Sequence, residues 1–215
     1  MLTLYGRASS INVQKVRWLI GEIGLAHEHV EVGGRFGGLN DPKFLALNPH
    51  GLVPVIDDDG VIVWESHSIL RYLAAKYAPE HFWPADPATR SEADRWLDWA
   101  QASAQPDFNG GVFWGLYRTP EAQRDHGAIA RSIAKCDAHL RLLDRWLEGR
   151  KYICGDALTL ADIPIGANLY RHYELEIARP RVANVEAWYA RLCEREAYQN
   201  AVMISFEELK GRLAF

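Results

Sequence analysis

At 215 residues the chain is long for one small domain and long enough for two with sizeable cores, since domains usually run to about 100–150 residues. Hydrophobic residues make up 48% and charged residues 24%, and a formal net charge of −4 without any long basic tract excludes a general nucleic-acid binder. The three cysteines, Cys136, Cys154 and Cys193, are odd in number and lack C-x-x-C spacing, so neither a disulfide framework nor a zinc site is signalled and inert thiols are expected.

No basic leader with a long apolar run opens the sequence, and nowhere do about 18 apolar residues run together. The expectation is a soluble, cytoplasmic protein with no membrane and no nucleic-acid partner. Leu2 to Tyr5 reads as a short strand, followed by the polar segment Gly6 to Ser10. Val13, Val16, Leu19, Ile20 and Ile23 then recur at three- and four-residue steps, predicting a helix that begins at Ser10 or Asn12 and ends around Gly24. A second strand is expected from His27 to Val32, then a glycine-rich loop from Gly33 to Gly38, then a short helix from Pro42 to Leu47.

Asn48 to Ser68 is the stretch around which the rest is organised. Val53-Pro54 leads into Val55-Ile56, then Asp57 to Gly60 form a turn, then Val61 to Trp64 form a second apolar run. Two such runs joined by a glycine-containing turn predict an antiparallel hairpin. Pro54 cannot donate a ladder hydrogen bond, which leaves the edge beside Val53 open to another partner. Glu65 and Ser66 stand at the start of a helix predicted over Ser66 to Tyr77, where exposed backbone N–H groups favour anions. A peptide with a free carboxylate fits such a surface.

The order β-α-β-α-β-β-α predicts a compact α/β unit over residues 1–78 that resembles thioredoxin. Residues 79–87 carry three prolines and read as a linker. From residue 88 to residue 215 the pattern is helical, with helices expected at Ala88 to Leu116, Pro120 to Glu148, Leu160 to Tyr173 and Ala183 to Glu194, and a weaker one from Ala197. Thr159 as N-cap with Asp162 three residues on, flanked by Leu158 and Ile163, forms a capping box with a hydrophobic staple. Asp162 therefore has a structural task at the start of a buried helix.

An α/β unit with the run Asn48 to Pro54, then Trp64 to Ile69, then an all-helical part carrying Thr159 to Asp162, resembles a cytosolic glutathione transferase over the whole chain. Gly6-Arg7 with Ser10, Asn12 and Val13, and the later Gly115-Leu116 with Arg118 to Pro120, look most like a bacterial subgroup related to the theta and nu types. The resemblance implies a thioredoxin-like domain plus an all-α domain, a homodimer, and glutathione as cosubstrate without a metal. It places the γ-glutamyl end of glutathione on Glu65 and Ser66, and the backbone of its cysteinyl part on Val53, just before Pro54. From these residues alone, a plain helix cap and an ordinary strand-edge proline are the competing readings. His50 and Arg35 are possible contacts for the glycyl carboxylate, or solvated loop residues.

Such chemistry requires a thiolate. A free thiol of pKa about 8.5 is only slightly ionised at neutral pH, and lowering it by about two units takes about 2.7 kcal/mol. One charge-assisted hydrogen bond beside a helix N-terminus can supply that. In the family pattern Ser10 is the hydroxyl set against the sulfur and Asn12 a second donor. Ser9 is the rival if the register slips by one, and Tyr5 lies about one residue too early. Phe108, Phe113, Trp114 and Tyr117 are either an apolar wall for the electrophile or ordinary core. Arg7 and Arg118 would favour an anionic electrophile, such as a small halogenated acid, or else form surface salt bridges. The resemblance leaves two further readings open: glutathione-dependent reduction of disulfides or peroxides, and a non-catalytic binding protein.

Overall fold

The computed structural model describes residues 1–214. Four strands, β1 (Leu2–Tyr5), β2 (His27–Val30), β3 (Val55–Asp58) and β4 (Val61–Trp64), form one sheet in the order β2-β1-β3-β4. β1 pairs with β2 in parallel and with β3 antiparallel. The parallel pair needs a crossover, and α1 (Ile11–Glu22) supplies it, burying Val13, Val16, Leu19 and Ile20. α2 (Pro42–Leu47) and α3 (Ser66–Tyr77) complete the expected order.

β2 ends at Val30 rather than Val32. Its partner β1 stops at Tyr5, the last bond is Gly6 N–H to the Val30 carbonyl at 3.0 Å, and the following loop closes on itself through Gly33 N–H and the Gly37 carbonyl at 2.7 Å. The hairpin turn takes positive φ at both central residues, Asp59 (51°) and Gly60 (90°), and Asp57 Oδ1 accepts from Gly60 N–H at 2.7 Å. This is the geometry that matches strand twist.

α4 (Pro87–Trp99) is an ordinary α-helix, but the chain continues to Arg118 in wider turns, illustrated by Thr119 N–H bonded to the Trp114 carbonyl five residues back at 2.9 Å. The sequence predicted one regular helix here. Pro106 lies inside this stretch, where it lacks an N–H and its ring would press on the preceding turn of a tight helix. Wider turns relieve that conflict. α5 (His126–Trp146) starts later than expected, because Asp125 caps it by accepting from Ala128 N–H at 2.8 Å, leaving residues 120–125 as a separate turn.

α6 (Asp162–Glu174), α7 (Ala183–Cys193) and α8 (Glu196–Ala201) follow. Asp162 does what its spacing implied, accepting from Thr159 N–H at 2.9 Å, and it does more: Ile153 N–H (2.9 Å) and Trp188 Nε1–H (3.0 Å) also donate to it. One fully buried carboxylate thus ties together the loop before α6, its first turn and α7. Leu158 and Ile163 are both buried, as a staple requires.

The linker segment is not bare. Phe82 is buried, and one apolar core runs without interruption from Leu2 to Leu209. Trp18 of α1 meets Tyr198 of α8 edge-on at 4.7 Å, and Arg195 binds Glu22 through two hydrogen bonds of 2.7 and 2.5 Å. The sheet unit and the helices are therefore held in a fixed relation. Burial pushes the Cys136 and Cys193 thiols up and Cys154 up to about 11, so all three stay protonated at neutral pH. Among the described residues no helix is long and apolar enough to cross a membrane.

Candidate active site

Between the end of β1, the start of α1 and the wide helix lies a cleft of about 530 Å³. Gly6 makes its first wall possible. At φ +148° a Cβ there would stand 2.5 Å from Val13 and 3.1 Å from Val53, so only glycine lets the β1–α1 turn reach the Val53 edge.

Ser10 caps α1, its carbonyl accepting from Gln14 N–H at 2.9 Å, yet its hydroxyl makes no cap hydrogen bond. Among the described residues that hydroxyl has no hydrogen-bond partner, and Ser10 and Asn12 both line the cleft. Ser9 differs: it is buried, its hydroxyl donates to the Glu208 carboxylate, and its carbonyl accepts from Arg171. Tyr5 points to the far side of the sheet, packed against the small cluster of Val32, Phe44 and Val55, and burial raises its pKa, with Asp57 and Glu28 adding to the effect.

Val53 lines the same cleft, joined to Pro54 by a cis peptide bond. Among the described residues its amide and carbonyl pair with no other backbone group. The hairpin register pairs Val55 with Trp64, and continued outward it sets Val53-Pro54 beside Glu65-Ser66. Glu65 holds φ +68°, an uncommon value for a residue with a Cβ and one that concentrates at functional sites. Ser66 is the first, buried residue of α3. An open edge and a helix start thus lie side by side, which suits an extended peptide ending in a carboxylate.

The opposite wall comes from the helices. Arg118 lies 3.9 Å over the Trp114 ring, and both line the cleft with Arg7 and Arg171. Sequence reasoning missed Arg171. It is fully buried in α6, where it extends the buried four-residue stripe of Ile163 and Ala167, and that spacing was the available signal. Burial lowers the pKa of each of these three arginines, Arg171 to about 9, with Arg7 and Arg118 repelling it further. All remain protonated at neutral pH, and an anion between them would relieve the repulsion.

Other predicted residues stand elsewhere. Phe113 is buried beneath the cleft rather than on its wall, stacked on Tyr117 at 5.2 Å and covered by the Arg171 guanidinium at 4.6 Å. Phe108 is core, edge-on to His172. Arg35 turns away, 3.6 Å from Glu208, and lines a smaller adjoining cavity. His50 packs its ring against Trp64 at 5.1 Å. The last residues also contribute, because Leu209 and Leu213 reach the cleft and Arg118 Nε donates to the Arg212 carbonyl at 2.8 Å.

Comparison with known proteins agrees with this geometry. Residues 4–81 match the family model for the glutathione S-transferase N-terminal domain, and residues 107–196 match that for the glutathione S-transferase C-terminal domain. The chain belongs to the glutathione S-transferase family. It is 41% identical over 206 residues to glutathione S-transferase GstB of Escherichia coli, covering 95% of this chain and 99% of that protein. It is 36% identical to glutathione S-transferase 3 of Zea mays, covering 94% of this chain and 93% of that one. Among solved structures it is similar to the theta class glutathione S-transferase of Xanthomonas axonopodis pv. citri with glutathione bound (43% identity, TM-score 0.89, 95% of this chain and 98% of that chain). The apo form of that enzyme matches at a TM-score of 0.82.

Proposed function

We propose that this protein is a glutathione transferase in which Ser10 holds the glutathione thiolate and Asn12 donates a second hydrogen bond. The observation that carries the reading is the unspent Ser10 hydroxyl at the α1 start, in one cleft with the open Val53 edge. Glutathione lies along Val53 with its γ-glutamyl end on Glu65 and Ser66. Position and charge then do the chemistry: the helix start and hydroxyl favour the thiolate, and the cleft brings it to the electrophile. The bond formed is sulfur to the electrophilic carbon, and the leaving group departs with its electron pair. The enzyme acts as a homodimer in the cytoplasm, and its electrophile is small and anionic or halogenated, a negative charge on it being met by Arg7, Arg118 and Arg171.

The likeness to a Xanthomonas enzyme solved with glutathione bound supports glutathione as the cosubstrate. The commitment of the Ser9 hydroxyl to Glu208 supports Ser10 as the thiol's partner. Turnover of glutathione with a panel of halogenated aromatics and haloacids tests the reading, with rates on a small disulfide as a control for reduction. Turnover with haloacids is expected; inactivity across the panel together with no glutathione binding by calorimetry would overturn it.

A further inference from the structure

Behind the cleft floor α1 carries a cation that the chemistry above leaves unused. Lys15 is fully buried, with Nζ 3.1 Å from Asn12 Oδ1 and 3.1 Å from His67 Nε2. Lysines are almost never fully buried unless paired, yet both of these partners are neutral. His67 is held uncharged by burial and by Lys15 and Arg71, its pKa lowered to about 2, which leaves its Nε2 able to accept from Lys15.

The arrangement fixes an orientation. An asparagine amide has one accepting end and one donating end. Here two donors, Lys15 Nζ and Gln105 Nε2 (3.2 Å), converge on Asn12 Oδ1. The amide nitrogen is thereby turned away from both, and Asn12 lines the cleft two residues beyond Ser10. Without those donors the amide could rotate and present its oxygen to the sulfur, where it would repel a thiolate.

We propose that Lys15 is a positioning residue for the glutathione thiolate: with Gln105 it holds Asn12 Oδ1 from inside the fold and so aims the Asn12 NH₂ group at the sulfur. This rests on the reading of the cleft as the glutathione site with Asn12 beside the thiol. Other charged groups around it are Glu65 at the α3 start, which favours the charged lysine, and Arg71 beyond His67, itself paired with Asp94 and Asp98. Burial brings Lys15 down to about 7, so its charge is adjustable near neutral pH.

The test follows the ultraviolet absorbance of the bound thiolate against pH in the full chain saturated with glutathione, for the wild type and for Asn12→Ala, Lys15→Met, the double variant and Gln105→Leu. Asn12→Ala should raise the bound thiol pKa by about one unit, a tenfold loss of thiolate at low pH. Lys15→Met should raise it similarly, the double variant should add nothing further, and Gln105→Leu should produce a smaller rise. A wild-type thiol pKa in Lys15→Met, alongside a raised one in Asn12→Ala, would overturn the role of Lys15 while leaving Asn12 in the site. No change in Asn12→Ala would instead remove Asn12 from the thiol and the proposal with it. Should Lys15→Met fail to fold, Gln105→Leu decides, an unchanged pKa there contradicting the fixed amide.

Discussion

Arg171 of α6 donates through a terminal guanidinium nitrogen to the Ser9 carbonyl at 2.5 Å. The bond reaches from the helical part to the turn that delivers Ser10, across 162 residues of sequence. Its donor is buried, and its Nε has no hydrogen-bond partner among the described residues. One side chain therefore does two things: it anchors the turn that carries Ser10, and it adds positive charge to the cleft.

Arg171→Met should lower kcat/KM for haloacids by about tenfold to a hundredfold, the range expected for one hydrogen bond to a charged group. Neutral aromatic electrophiles should lose less, because they forfeit only the anchoring of the turn. Steady-state kinetics on one substrate of each kind reads the difference, and equal losses would restrict Arg171 to anchoring.

Ser10→Ala removes the hydroxyl that α1 leaves unspent. The bound thiol pKa should rise by about one unit, the rest of the depression staying with Asn12, and kcat at low pH should fall by about tenfold. Ser9→Ala should leave the thiol pKa unchanged, since the Ser9 hydroxyl is spent on Glu208. Thiolate absorbance separates the two.

With Glu65 and Ser66 proposed to hold the end of glutathione that does not react, Glu65→Gln and Ser66→Ala should each raise KM for glutathione by about tenfold, with a smaller change in kcat. Calorimetric glutathione titrations alongside the kinetics give the split.

Lys15 couples stability to pH. Its pKa of about 7 in the folded chain lies below the ordinary lysine value of 10.5, so burial of the charged form costs stability in full below about pH 7. The cost fades as pH rises from there towards 10.5, where the unfolded chain also loses its proton. Lys15→Met should accordingly raise the melting temperature at pH 6 and lose that advantage towards pH 10, while its thiol pKa worsens. Thermal unfolding across pH reads this directly.

Asp162→Ala leaves the N–H groups of Ile153, Thr159 and Trp188 buried without their acceptor. A loss of about 3 kcal/mol or more is expected, at the upper end for a buried hydrogen-bonded charge. Burial raises this carboxyl to about 6. A pKa above the unfolded value means that the protonated form is favoured by folding, so stability on this account is greatest below about pH 4 and declines as pH passes 6. Denaturant unfolding at two pH values measures both effects.

Local patterns made much of this legible in the sequence. The hairpin, the α1 start at Ser10, the Asp162 box and the Val53 edge each depend on neighbours within a few residues, and the structure has each in place. Wide turns after Trp99 were less legible, because Pro106 shows that a regular helix is strained there but not how the strain is relieved. Distance in sequence hid the rest. Arg171 meets Ser9, and Glu208 meets Ser9, only once α6 and the last turn fold over the β1–α1 loop. Phe113 looked like cleft wall because helical spacing cannot tell which side of a stripe faces the core. The role of Lys15 needed Gln105, brought in from another helix, to become visible.

The central claim is that this cleft binds glutathione as a thiolate against Ser10. A pH titration of thiolate absorbance in the wild-type protein saturated with glutathione tests it most directly. A bound thiol pKa of about 6.5, two units below that of a free thiol, is the predicted result; a pKa at or above about 8.5 would contradict it.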